Sequence, residues 1–157
     1  MEYVRKNQVK CGRYDAMQKA SDFFHEKNDC AVKALAVACG VNYATALCAL
    51  ANCGRKTRGV TYFHQIDTAV ASLGFNAFDD FGYIKDRLKK LAAKNYHVKK
   101  LTTRQLTMFP DIIGQGTWLV YTNSHVLAVE GGQVHCFAAK SALHINMAKK
   151  IVRKDAK

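Results

Sequence analysis

Two residues far apart in the chain carry the strongest chemical signal. Cys30 follows Asn28 and Asp29, both N-cap residue types, and opens a run in which Val32, Leu35, Ala36 and Cys39 recur at helical spacing before Gly40. A helix N-terminus stabilises a thiolate through oriented N–H groups and a partial positive charge, which makes Cys30 a candidate nucleophile. The thiolate needs a base, and in thiol-dependent sites the base is a His brought alongside by the fold. His125 is the best placed of the six histidines, because it begins the apolar run Val126-Leu127-Ala128-Val129, which reads as a strand able to face the Cys30 helix. His25, His64, His97, His135 and His144 lack that context.

The remaining cysteines point elsewhere. Cys11, Cys39, Cys48, Cys53 and Cys136 include no C-x-x-C pair, and Cys39, Cys48 and Cys53 are separated by eight and four residues without a paired His motif. That spacing argues against a zinc site, so neither a metal nor a cofactor is expected. Residues 1–13 are polar and basic with no apolar signal core, so a cytoplasmic location and free thiols are expected. Cys39 and Cys48 lie in apolar helical patterns and are expected to pack inward.

The elements that must position Cys30 and His125 change character along the chain. Helices are expected at Cys30 to Cys39, Tyr43 to Asn52, Thr61 to Leu73 and Tyr83 to Lys94, with a short one at Thr102 to Phe109 ending at Pro110. Strands are expected at Thr117 to Tyr121, His125 to Val129 and Gln133 to Phe137, the last two joined by the turn signal Gly131-Gly132. Helices followed by a meander give an α+β fold, an N-terminal helical layer packed on a C-terminal antiparallel sheet. The 157 residues suit a single domain, with residues 1–20 as a lead-in and 149–157 as a basic tail.

The net charge of +12 is concentrated. Lys85 to Arg104 holds eight basic residues against Asp86, and Lys149 to Lys157 holds five against Asp155. These patches suit an acidic partner or nucleic acid, or else form a solvated helix face and a frayed tail. No nucleic-acid motif of the RNP type accompanies them, and no stretch approaches the roughly 20 apolar residues of a spanning helix, so no membrane partner is expected.

The run Asn28-Asp29-Cys30-Ala31-Val32-Lys33-Ala34-Leu35-Ala36 resembles the nucleophile segment of small phage-encoded papain-like cysteine peptidases and, more distantly, of bacteriocin-processing peptidase domains. Gly54-Arg55-Lys56-Thr57-Arg58-Gly59-Val60-Thr61 is similar to the turn after the second helix of the phage group. Gly116-Thr117-Trp118-Leu119-Val120, followed by His125-Val126-Leu127-Ala128-Val129 and a glycine turn, is similar to its His-bearing hairpin. The resemblance implies a papain-like fold and a Cys30/His125 pair attacking an acyl carbon of a protein or peptide substrate.

Two departures stand beside it. The family's Asp or Asn that orients the His falls in a stretch that here reads Val134-His135-Cys136-Phe137. Gln133 or a residue outside the motif holds His125, the pair works as a dyad, or the site has become a binding pocket; the sequence leaves these open. Six residues before Cys30, where the family carries an oxyanion-stabilising Gln, stands Phe24; Asn28 is the substitute, with the Cys30 backbone N–H as second donor, or is an N-cap. The rival to a cysteine hydrolase is a catalytically silent basic phage protein that binds a host factor or nucleic acid.

Overall fold

The computed structural model describes residues 12–26, 29–94, 102, 112–123, 125–135 and 144–155. Among the described residues five helices and five strands follow one another: α1 (Gly12–Phe23), α2 (Cys30–Cys39), α3 (Tyr43–Asn52), α4 (Phe63–Ser72), β1 (Phe75–Asp79), α5 (Phe81–Lys94), β2 (Thr117–Thr122), β3 (Val126–Glu130), β4 (Gln133–His135) and β5 (Ile145–Arg153). The fold class is α+β, as the order of periodicities indicates.

Apart from Lys33, helix α2 is apolar around its circumference because it is enclosed: every residue from Ala31 to Cys39 is buried. Gly40 stops it in the left-handed conformation, φ 63°, with the Gly40 N–H bonded to Val37 O at 3.3 Å and the Val41 N–H to Ala36 O at 3.0 Å. Asn42 then caps α3 by accepting the Thr45 N–H at 2.8 Å. Among the described residues no single helix is long and apolar enough to cross a membrane; α2 and α3 together have the composition but bend by 112°.

The five strands form one antiparallel sheet in the order β1-β5-β2-β3-β4. Alternation divides its side chains between two cores. Leu119, Tyr121, Val126, Ala128 and Ile151 join α2, α3 and α4 on one face. Trp118, Val120, Leu127, Val129, Val134 and Ala148 join Ile84 of α5 on the other, with Leu88 and Leu91 packed against them. The sheet is therefore covered on both faces, where a simple helical layer on a sheet was expected. This explains why Trp118 to Thr122 are buried without interruption.

The expectation of a basic tail at residues 149–157 is corrected. Lys149 to Arg153 belong to β5, hydrogen-bonded to β1 on one side and β2 on the other. The lysines disguise this strand because only Ile145, Ala148 and Ile151 are fully buried, while Lys149 reaches Asp67 at 2.8 Å and Lys150 lies over the Trp118 ring at 5.9 Å. β1 was also absent from the sequence reading. Residues 103–109, where a short helix was expected, lie outside the described residues, as do Cys136 and Phe137 of the third expected strand.

A strand and a tail differ in what they lose. Ile151→Ala removes a core side chain 6% exposed, and urea unfolding is expected to show a loss of about 2–5 kcal/mol. An unchanged midpoint contradicts the placement of β5.

Candidate active site

The segment leading into Cys30 is fixed by two carboxylates. Asp29 occupies the N-cap position of α2, yet its side chain makes no cap hydrogen bond. It turns into the helical layer instead, where it accepts from Ser21 Oγ of α1 at 2.6 Å and from Tyr43 OH of α3 at 2.8 Å. Lys33, one turn into α2, approaches it at 3.5 Å and donates to Gln18 at 3.1 Å. Burial pushes the Asp29 carboxyl up, but the hydrogen bonds from Ser21 and Tyr43 and the charge of Lys33 outweigh this and hold it below its ordinary value. Burial, reinforced by the hydrogen bond to Asp29, pushes the Tyr43 phenol up.

Glu26 does the same work on the loop after α3. Its Oε1 accepts from Arg55 Nη2 and from the backbone N–H of Arg58, both at 2.9 Å. The ion-paired side chains are 1% exposed for Arg55 and 3% for Glu26. Arg55 Nε donates in turn to Thr61 Oγ1 at 3.0 Å, directly before the start of α4. Arg55, one residue of the Gly-Arg-Lys turn, is thus the clamp that joins this loop to the Cys30 segment.

The clamp continues to the sheet. The Phe63 ring at the start of α4 meets Tyr121 edge-on with centroids 4.9 Å apart, and Tyr121 is the ladder partner of Val126. His125 immediately precedes Val126; its N–H donates to Thr122 Oγ1 at 3.0 Å and its carbonyl accepts from the Thr122 N–H at 2.8 Å across a tight turn. The start of α2, the start of α4 and the β2–β3 turn are therefore linked in one chain of contacts. α2 itself packs on β2 and β3.

Within this frame Cys30 is the first residue of α2, a free thiol, half-buried against the first core. His125 is half-buried, and its Nδ1 is sequestered from solvent with no hydrogen-bond partner among the described residues. Val126 and Ala128 face α2 whereas Leu127 and Val129 face the other core. Alternation carried back one residue sets His125 on the Leu127 side, the face of the sheet away from α2, whereas the sequence pattern had it facing the Cys30 helix.

Gln133 is corrected as the orienting residue. It is exposed and pairs with Glu130 at the opposite turn of the β3–β4 hairpin. Five residues separate His125 from Glu130, about 17 Å along the strand, beyond the reach of a glutamine side chain. Asn28 lies outside the described residues. Phe24 stacks on Tyr43, centroids 6.3 Å apart. Cys39 is buried, and burial pushes its thiol up to about 12, whereas Cys48 is exposed on α3, contrary to expectation, because Ala46, Ala49 and Leu50 form that helix's inner face.

The Glu26–Arg55 and Asp29–Ser21–Tyr43 links escaped the sequence reading, since no local pattern marks side chains that meet across 29, 8 and 14 positions. The large apolar side chains of Val60, Tyr62 and Phe63, each more than half exposed, also went unnoticed. Among the described residues no group of three His, Cys, Asp or Glu side chains converges to hold a metal ion. Comparison with protein-family models, curated proteins and solved structures found no match.

Asp29 ties stability to acid pH. Its carboxyl is held low in the folded state, so its contribution is complete above the ordinary Asp value of roughly 3.9 and is lost as pH falls through the folded value. Asp29→Asn is expected to lower stability near neutrality by about 1–3 kcal/mol and to flatten this acid dependence in urea titrations run across pH. A variant whose stability falls with acid as steeply as the parent contradicts this role.

Proposed function

We propose that this protein is a cysteine hydrolase that cleaves a peptide or isopeptide bond through Cys30 and His125. The observation that carries the reading is the placement of Cys30 as the first residue of a buried helix whose lead-in is tied, through Arg55, Thr61 and Phe63, to the hairpin that bears His125. The resemblance to papain-like peptidases adds the reaction type.

In this reading the His125 imidazole takes the Cys30 proton. The thiolate attacks the carbonyl carbon, and the Cys30 backbone N–H, among the first amides of α2 that have no intrahelical acceptor, faces the developing oxyanion. The imidazolium returns the proton to the leaving amine, leaving an acyl-thioester on Cys30. Water, deprotonated by the same imidazole, then displaces the thiolate and releases the acid. With Gln133 at the far turn, the pair works as a dyad. Val60, Tyr62 and Phe63 offer an apolar wall, which favours substrates with a large apolar side chain near the scissile bond.

A peptidyl electrophile with an apolar side chain, followed by peptide mapping, tests the pair. Cys30 is expected to carry the adduct ahead of exposed Cys48, and His125→Ala is expected to slow labelling by about 10²–10⁴-fold. Equal labelling of Cys30 and Cys48, or no effect of His125→Ala, overturns the proposal.

A further inference from the structure

The opposite face of the sheet bears features that hydrolysis does not use. Helix α5 has a single acid, Asp86, against Lys85, Arg87, Lys89, Lys90 and Lys94. Its apolar side is accounted for by Ile84, which is buried, and by Leu88 and Leu91, which are partly so. Along one stripe, Tyr83, Arg87, Lys90 and Lys94 follow at intervals of three or four residues, with Leu91 beside them, about 16 Å of helix. From Arg87 onward this stripe lines an open groove of about 250 Å³ together with Ile112. The groove therefore has an apolar floor and a cationic rim.

Aromatic rings continue the surface. Tyr83 lies parallel to buried Trp118, with centroids 6.3 Å apart and planes 9° apart, yet remains 43% exposed. The Arg87 guanidinium sits 5.5 Å from the Tyr83 ring, and Lys150 lies over Trp118. Lys150 is the ladder partner of both Trp118 and Phe78, so this row of the sheet ends at Phe78 on the edge strand, 53% exposed. Cations and aromatic rings alternate here because folding collects them from β1, α5, β2 and β5; no contiguous motif holds them together.

We propose that this face binds single-stranded nucleic acid, with Arg87, Lys90 and Lys94 on the phosphates and Tyr83 and Phe78 stacking on bases. Charge alone would serve any polyanion. The exposed rings and the apolar floor between cations match a ligand that alternates phosphate with a flat, weakly polar base, and an acidic polypeptide makes no use of them. The surface lies across the sheet from α2, so this site stands or falls independently of the hydrolase reading.

Fluorescence anisotropy of the full chain with a labelled oligothymidylate, across a salt series, tests the site. Affinity is expected to fall linearly with salt on logarithmic axes, and replacing both Lys90 and Lys94 by Ala is expected to reduce that slope by roughly one per lost phosphate contact. Tyr83→Ala and Phe78→Ala are each expected to weaken binding by about tenfold at every salt concentration, while Tyr83→Phe retains it. Phe78 is largely exposed, so its variant reads binding without disturbing the core. Absence of binding at low salt overturns the proposal. So does an oligoglutamate that binds as tightly as the oligothymidylate and is indifferent to Tyr83→Ala and Phe78→Ala, a result that assigns the face to an acidic polypeptide.

Discussion

A carboxylate buried one residue before the nucleophile position sets the geometry of the helical layer. Asp29 is 8% exposed, and a charge placed there costs several kcal/mol unless it is matched. Ser21, Tyr43 and Lys33 match it, and each belongs to a different helix, α1, α3 and α2. The cost of leaving that charge unmatched makes the arrangement specific: α1 and α3 must meet at the start of α2, or Asp29 is buried alone. Glu26 applies the same constraint to the loop between α3 and α4 through the enclosed Arg55 pair. Cys30 inherits a fixed position from two ionic contacts to which its own side chain contributes nothing.

The sheet supplies the other half of the frame. Because both faces are covered, β2 and β3 are apolar through their middles, and their polar groups appear only at the ends, where His125 and Gln133 sit at opposite turns of β3. One face carries α2 and Cys30, while the other carries α5 and the row of cations and rings. Two environments can share so short a chain because a sheet presents alternate residues of one strand to each of them. Trp118 and Leu119 are neighbours in β2, yet one underlies Tyr83 and the other packs with the helices.

Local signals made much of this legible from the sequence. α2 and α3 occupy the spans their apolar spacing and caps indicate, and the Gly131-Gly132 hairpin forms where the turn signal stands. What escaped notice was non-local or disguised. β5 reads as a basic tail because lysine stems can lie along a sheet while their charges reach Asp67 or an aromatic face. β1 is an edge strand with little buried surface, so it lacks the continuous apolar run that marks an inner one. Asp29 looked like a cap because residue type and position suit one; its partners lie 8 and 14 residues away, which no local pattern reports. Cys48 read as buried because α3 is apolar nearly throughout, and only the packing decides which of its faces turns inward.

The proposed mechanism requires the Cys30 thiol and the His125 ring to meet around the end of β3. Treatment with 1,3-dibromoacetone addresses it directly, because the two electrophilic carbons of this reagent flank a single carbonyl and join only a thiol and an imidazole already within a few ångströms. Peptide mapping of the folded protein is predicted to recover one covalent link, between Cys30 and His125, formed with loss of both bromides. Recovery of Cys30 alkylated alone, or bridged to any other residue while His125 stays unmodified, contradicts the account.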